Sequence, residues 1–107
     1  MNLESIEKEL TNGLIPHRAA DIRVELSGYY SRMSGELQEI LALKPSRWLM
    51  IRKDVKTDKE ADRVWDAGEM GIQEMRLKMN MKRIDKIISS LSSFIRVAEQ
   101  ESKFNTY

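Results

Sequence analysis

Apolar residues recur along this chain at intervals of three and four, as expected of helices that bury one stripe. Leu3, Ile6 and Leu10 form the first such set. Thr11-Asn12-Gly13 closes it, glycine being well suited to the position after a helix. A short helix is predicted over 2–12. Ile22, Leu26, Tyr29, Met33, Leu37 and Ile40 then follow at intervals of 4, 3, 4, 4 and 3, a single stripe along a helix expected over 17–43. Lys44 ends it, because the residue before a proline is pushed away from α geometry. Pro45 suits the first turn of a new, short helix over 46–55, with Trp48, Ile51 and Val55 on one side.

Thr57-Asp58-Lys59-Glu60 has capping-box form, with Thr at the cap and Glu three residues on. No proline follows, so a long helix is predicted over 58–104. Unbroken, it would extend about 70 Å at the α-helical rise of 1.5 Å per residue, too far for one small chain to cover. It therefore breaks, with Gly68 to Gly71 the expected place, or other subunits cover it. Ala61, Trp65, Gly68, Ile72, Met75 and Met79 make one seam, and Leu77, Met81, Ile84, Ile88, Leu91, Ile95 and Ala98 a second. At about 100° per residue the two seams point roughly 160° apart. Between Met75 and Ile84 the helix is then apolar on nearly all sides and should be enclosed. The expected fold is all-α: one domain over 1–107, a long-helix hairpin or bundle completed by homo-oligomerisation. The interface is assigned to Met75, Leu77, Met79, Met81, Ile84, Ile88, Leu91 and Ile95.

Composition narrows the chemistry. Charged residues make up 33% of the 107 and hydrophobic ones 41%, too polar for a membrane span and too apolar for a disordered chain. MNLESIEKEL has no apolar signal core, so a cytoplasmic location is expected, that of the host if the gene is a phage's. The chain lacks cysteine and has one histidine, His17, which removes thiolate chemistry and leaves no basis for a His-containing triad or a multi-His zinc site. Asp58, Asp62, Asp66 and Glu69 share a helix face, but with no histidine nearby they read as a solvated acidic face or a partner for lysines. No glycine-rich phosphate loop is present. The expectation is a protein that is not an enzyme and has no cofactor or metal.

Charge adds a pattern that a net +1 conceals. Residues 44–56 carry Lys44, Arg47, Arg52, Lys53 and Lys56 against Asp54, a sum of +4. Residues 57–75 sum to −4, and residues 76–96, with Arg76, Lys78, Lys82, Arg83, Lys86 and Arg96 against Asp85, to +5. Lys78, Lys82 and Lys86 recur every four residues, on one helix face. One reading is a phosphate-tracking surface for single-stranded nucleic acid: Arg47, Arg52, Lys53, Lys56, Lys78, Lys82, Arg83 and Lys86 on phosphates, Trp48 stacked on bases. The other is that basic and acidic segments pair between subunits while Trp48 packs in the core. Four methionines between Met70 and Met81 fit either core filling or an adaptable partner groove.

The segment from Leu77-Lys78-Met79-Asn80-Met81-Lys82-Arg83-Ile84-Asp85-Lys86 to Lys103-Phe104-Asn105 resembles the last helix of UvsY-type phage recombination mediator proteins. So do the opening Leu3-Glu4-Ser5-Ile6-Glu7-Lys8-Glu9-Leu10 and the helix bearing Tyr29-Tyr30. About half the chain is covered, and residues 44–75 are not. The resemblance implies a small, helical, oligomeric protein that loads a recombinase onto single-stranded DNA coated by its binding protein. The rival class is a small helical inhibitor or adaptor, bacterial or phage-encoded, that acts on a protein partner through its Met-rich or acidic surface.

Overall fold

The structure, a computed structural model, describes residues 3–13 and 15–104, with side chains as far as 102. It is all-helical: among the described residues there are four α-helices and no strand. They are α1 (Leu3–Asn12), α2 (Pro16–Lys53), α3 (Asp58–Ala67) and α4 (Glu69–Phe104). Among the described residues no helix is long and apolar enough to cross a membrane. The chain divides into two compact units, Met1–Tyr30 with Arg83–Tyr107 (unit 1) and Ser31–Lys82 (unit 2); α2 and α4 each run through both.

In unit 1, Gly13 follows α1 at φ 93°, the left-handed position that only glycine takes without strain. Ile6 of α1, Ala19, Ile22 and Leu26 of α2, and Ile84, Ile87 and Leu91 of α4 are buried there. Two ion pairs tie α1 to its neighbours: Arg18 Nε to Glu9 Oε2 at 3.1 Å and Arg83 Nε to Glu7 Oε1 at 2.6 Å.

Unit 2 corrects the predicted division at Pro45. Residues 17–43 and 46–55 are not separate helices; α2 runs through Pro45 to Lys53. The proline costs one backbone hydrogen bond, but packing overrides it. Ile40 before the proline and Trp48 and Ile51 after it belong to one core cluster with Trp65, Leu77, Leu37, Met33 and Met70. The stripe continues in phase across the proline as Leu37, Ile40, Lys44, Trp48 and Ile51, at intervals of 3, 4, 4 and 3.

The long 58–104 segment breaks at Gly68. This residue is extended (φ −80°, ψ 167°); its N–H donates to the carbonyls of Val64 and Trp65, both at 3.1 Å, and its carbonyl accepts from Ile72 N at 2.9 Å. It therefore closes α3 and opens α4. Gly71, one turn into α4, is what permits the sharp corner: a Cβ there would overlap the Trp65 carbonyl oxygen and press on Asp66 Cα. At Gly68 a Cβ would meet only ordinary contacts at 3.4 Å. Because the break resets the helical phase, the first predicted seam stops there. Ala61 and Trp65 are buried, while Ile72, Met75 and Met79 are exposed. The row that α4 buries in unit 2 runs Met70, Glu74, Leu77 instead.

Candidate functional site

The chemistry of unit 2 gathers where α2, α3 and the start of α4 meet. Thr57 caps α3 as its sequence implies: its Oγ1 accepts from Glu60 N at 3.1 Å, and the Glu60 carboxylate accepts from Lys56 N at 3.2 Å. The cap brings the acidic first turns of α3 against the basic end of α2. Arg52 Nε donates to Asp58 Oδ1 at 2.7 Å and its Nη1 to the Val55 carbonyl at 2.8 Å. One turn further along α3, Trp48 Nε1 donates to Asp62 Oδ1 at 2.8 Å.

The centre of the arrangement is Glu74, only 5% exposed yet charged. Lys44 Nζ donates to its two oxygens at 2.9 and 3.2 Å, and Trp65 Nε1 to Oε2 at 3.2 Å. Lys78 Nζ stands at 3.5 Å, and the Lys44 ammonium lies 5.4 Å from the centroid of the Trp65 ring. Burial pushes the Glu74 carboxyl up, but the hydrogen bonds from Lys44 and Trp65 and the charges of Lys44 and Lys78 outweigh it, and its pKa falls below the ordinary 4.5. Glu74 thus has two cations for one negative charge.

The predicted nucleic-acid residues separate into two groups. Arg52, Lys78 and Arg83 are engaged by Asp58, Glu74 and Glu7. Among the described residues, no carboxylate lies within ion-pair distance of Arg47, Lys53, Lys56, Lys82 or Lys86, and all five are exposed. Of the two readings of Trp48, stacking on bases or packing in the core, its place matches the second: its ring packs against the core cluster and its N–H donates to Asp62. Arg52–Asp58, Lys44–Glu74 and Lys78–Glu74 pair basic with acidic segments within one chain.

The predicted oligomer interface also divides. Leu77, Ile84 and Leu91 are buried by the chain's own helices, Met81, Ile88 and Ile95 are half-buried, and Met75 and Met79 are 53% and 63% exposed. Within a single chain α2 and α3 cover only the Leu77 side of α4 in unit 2, and Met75 and Met79 stay uncovered.

The sequence carried a signal for Lys44 and Glu74 that periodicity alone passes over. Both occupy stripe positions, Lys44 four residues after Ile40 and Glu74 three before Leu77. A charge at a buried position on each of two facing helices points to a pair. Among the described residues, no group of three or more Asp, Glu or His side chains converges to hold a metal ion. Comparison with family models, curated proteins and solved structures gives no match.

Proposed function

We propose that the chain is a non-enzymatic accessory of DNA recombination or replication that binds single-stranded nucleic acid through Arg47, Lys53 and Lys56. One observation carries this reading. Asp58 and Glu74 of the acidic block are paired with Arg52 and Lys44, and Asp62 accepts from Trp48, while among the described residues no carboxylate lies within ion-pair distance of these three exposed cations at the end of α2 and in the turn after it. Unneutralised cations on a surface are what phosphates displace counterions to reach. Phosphate contacts carry no sequence information, so binding through them is sequence-tolerant.

The resemblance to UvsY-type mediators supplies the recombination setting, a recombinase or single-strand-binding protein as partner, and a cytoplasmic location. Self-association belongs to the same proposal, with Ile88 and Ile95, half-buried on α4 in unit 1, as the surface that a second copy would cover. Fluorescence anisotropy with labelled oligothymidylate at low salt tests the binding. Wild-type protein should bind, and the triple variant Arg47→Ala, Lys53→Ala, Lys56→Ala should lose most of the affinity. A triple variant that binds as tightly as wild type would remove these residues from the interface.

A further inference from the structure

On unit 2 a groove runs along the outer face of α4, closed at one end by Asp66 of α3. Gly71 lies at that end too, its backbone close against α3, while Met75 and Met79 supply the apolar wall and Lys78 and Lys82 stand beside them. Its features disagree with a merely solvated helix face. Met75 and Met79 expose more than half their surface side by side, four residues and therefore about 6 Å apart along the helix. Methionine adapts its shape to an incoming apolar side chain.

With Lys44 counted, three cations stand there against the two carboxylates Glu74 and Asp66, an excess of one. Glu74 is satisfied by Lys44, at 2.9 Å, and by the Trp65 N–H. Lys78, at 3.5 Å and 54% exposed, is a second cation that the buried carboxylate does not need. Lys82 has no carboxylate within ion-pair distance among the described residues. Lys78 can turn to an incoming carboxylate and leave Glu74 paired.

From this juxtaposition of two exposed methionines and two exposed lysines, each pair four residues apart, we infer that the groove is a docking site for an acidic amphipathic helix of another protein. Such a helix presents apolar side chains at i and i+4 to Met75 and Met79, and carboxylates at the same interval to Lys78 and Lys82. A nucleic acid fits this face poorly, because phosphates would engage the lysines and leave the thioethers in water, and no aromatic ring lines the groove to stack a base. A second copy's acidic α3 fits poorly as well, because its Asp58 and Asp62 are held by Arg52 and Trp48 and its other carboxylates, Glu60 and Asp66, are not four residues apart.

The test uses the full chain and two designed helical peptides, identical except that one carries glutamates and the other lysines beside a pair of leucines at i and i+4. Titration should show the glutamate peptide bound by wild type and the lysine peptide not. Met75→Ser with Met79→Ser should weaken the glutamate peptide roughly tenfold or more. Lys78→Glu with Lys82→Glu should reverse the preference, so that the lysine peptide now binds. These positions are exposed, and circular dichroism checks that the variants remain helical. Equal binding of both peptides, or indifference to the methionine pair, would overturn the inference. So would an oligothymidylate that competes with the glutamate peptide through Lys78 and Lys82, or sedimentation showing that the methionine pair holds copies of this chain together. Loss of oligothymidylate binding in the Arg47, Lys53 and Lys56 variant, with peptide binding intact, would separate this groove from the nucleic-acid surface.

Discussion

The two units of this molecule are held by different means. In unit 1 the buried residues Ile22, Leu26, Ile84, Ile87 and Leu91 are aliphatic, and the ion pairs Arg18–Glu9 and Arg83–Glu7 lie outside them, partly in water. Surface pairs of that kind add little. In unit 2 the buried cluster of Ile40, Trp65 and Leu77 is smaller, and beside it stands a charged carboxylate with Lys44 and an indole N–H as partners. The corner between α3 and α4 depends on one absent side chain, at Gly71. Aliphatic burial is tolerant of shape and reads directly from spacing. A buried ion pair and a close backbone approach demand particular residues at particular points, and spacing alone does not mark them.

Substitutions should separate the two designs. Ile84→Ala in unit 1, at a fully buried site, should cost about 3 kcal/mol in urea unfolding, within the usual range for deleting a buried aliphatic side chain. In unit 2, Gly71→Ala should cost about 2 kcal/mol or more, because the new methyl meets backbone that cannot turn aside. Gly68→Ala, one turn earlier with ordinary contacts only, should be close to neutral. If the two glycine variants melt alike, the close approach at Gly71 does not shape the corner.

Acid should next probe the buried pair of unit 2. The Glu74 pKa lies below its ordinary 4.5, so its ionised form stabilises the fold fully above that value. The contribution fades as pH falls through the lower folded value. Both tryptophans, Trp48 and Trp65, lie in unit 2, so their fluorescence reports that unit. An acid transition should appear below about pH 4.5 and weaken in Glu74→Gln, which keeps an acceptor but loses the charge. The same transition, unchanged in Glu74→Gln, would show that the pair does not hold unit 2. Smallest of all, Thr57→Ala should lower stability by about 1 kcal/mol through loss of the α3 cap, checked by thermal melting.

How much of this was legible in the sequence follows the same division. The α1 stop at Gly13, the Ile22–Leu26 stripe, the Thr57 cap and a break at Gly68 to Gly71 all follow from local rules about spacing, caps and glycine. Pro45 misled, because the rule for the residue before proline is local and the packing of Ile40, Trp48 and Ile51 on one cluster is not. The first seam failed beyond Trp65 because a seam carries its phase only through unbroken helix. The candidate site was legible as charge blocks but not as partners. Nothing in the spacing says that Arg52 goes to Asp58 while Arg47 stays free, or that Trp48 spends its N–H on Asp62. Those choices are made by the corner at Gly68 and Gly71, which sets where α4 returns against α2.

On the proposed reading Arg47, Lys53 and Lys56 bind phosphates, because among the described residues no carboxylate lies within ion-pair distance of them. The salt dependence of oligothymidylate binding tests it most directly, because the slope of log affinity against log salt counts phosphate contacts at about 0.7 each on single strands. For wild-type protein the slope should be about −2 or steeper, and removing the three cations together should flatten it by about 2. A wild-type chain that fails to bind at low salt, or a slope that the triple variant leaves unchanged, would contradict the account.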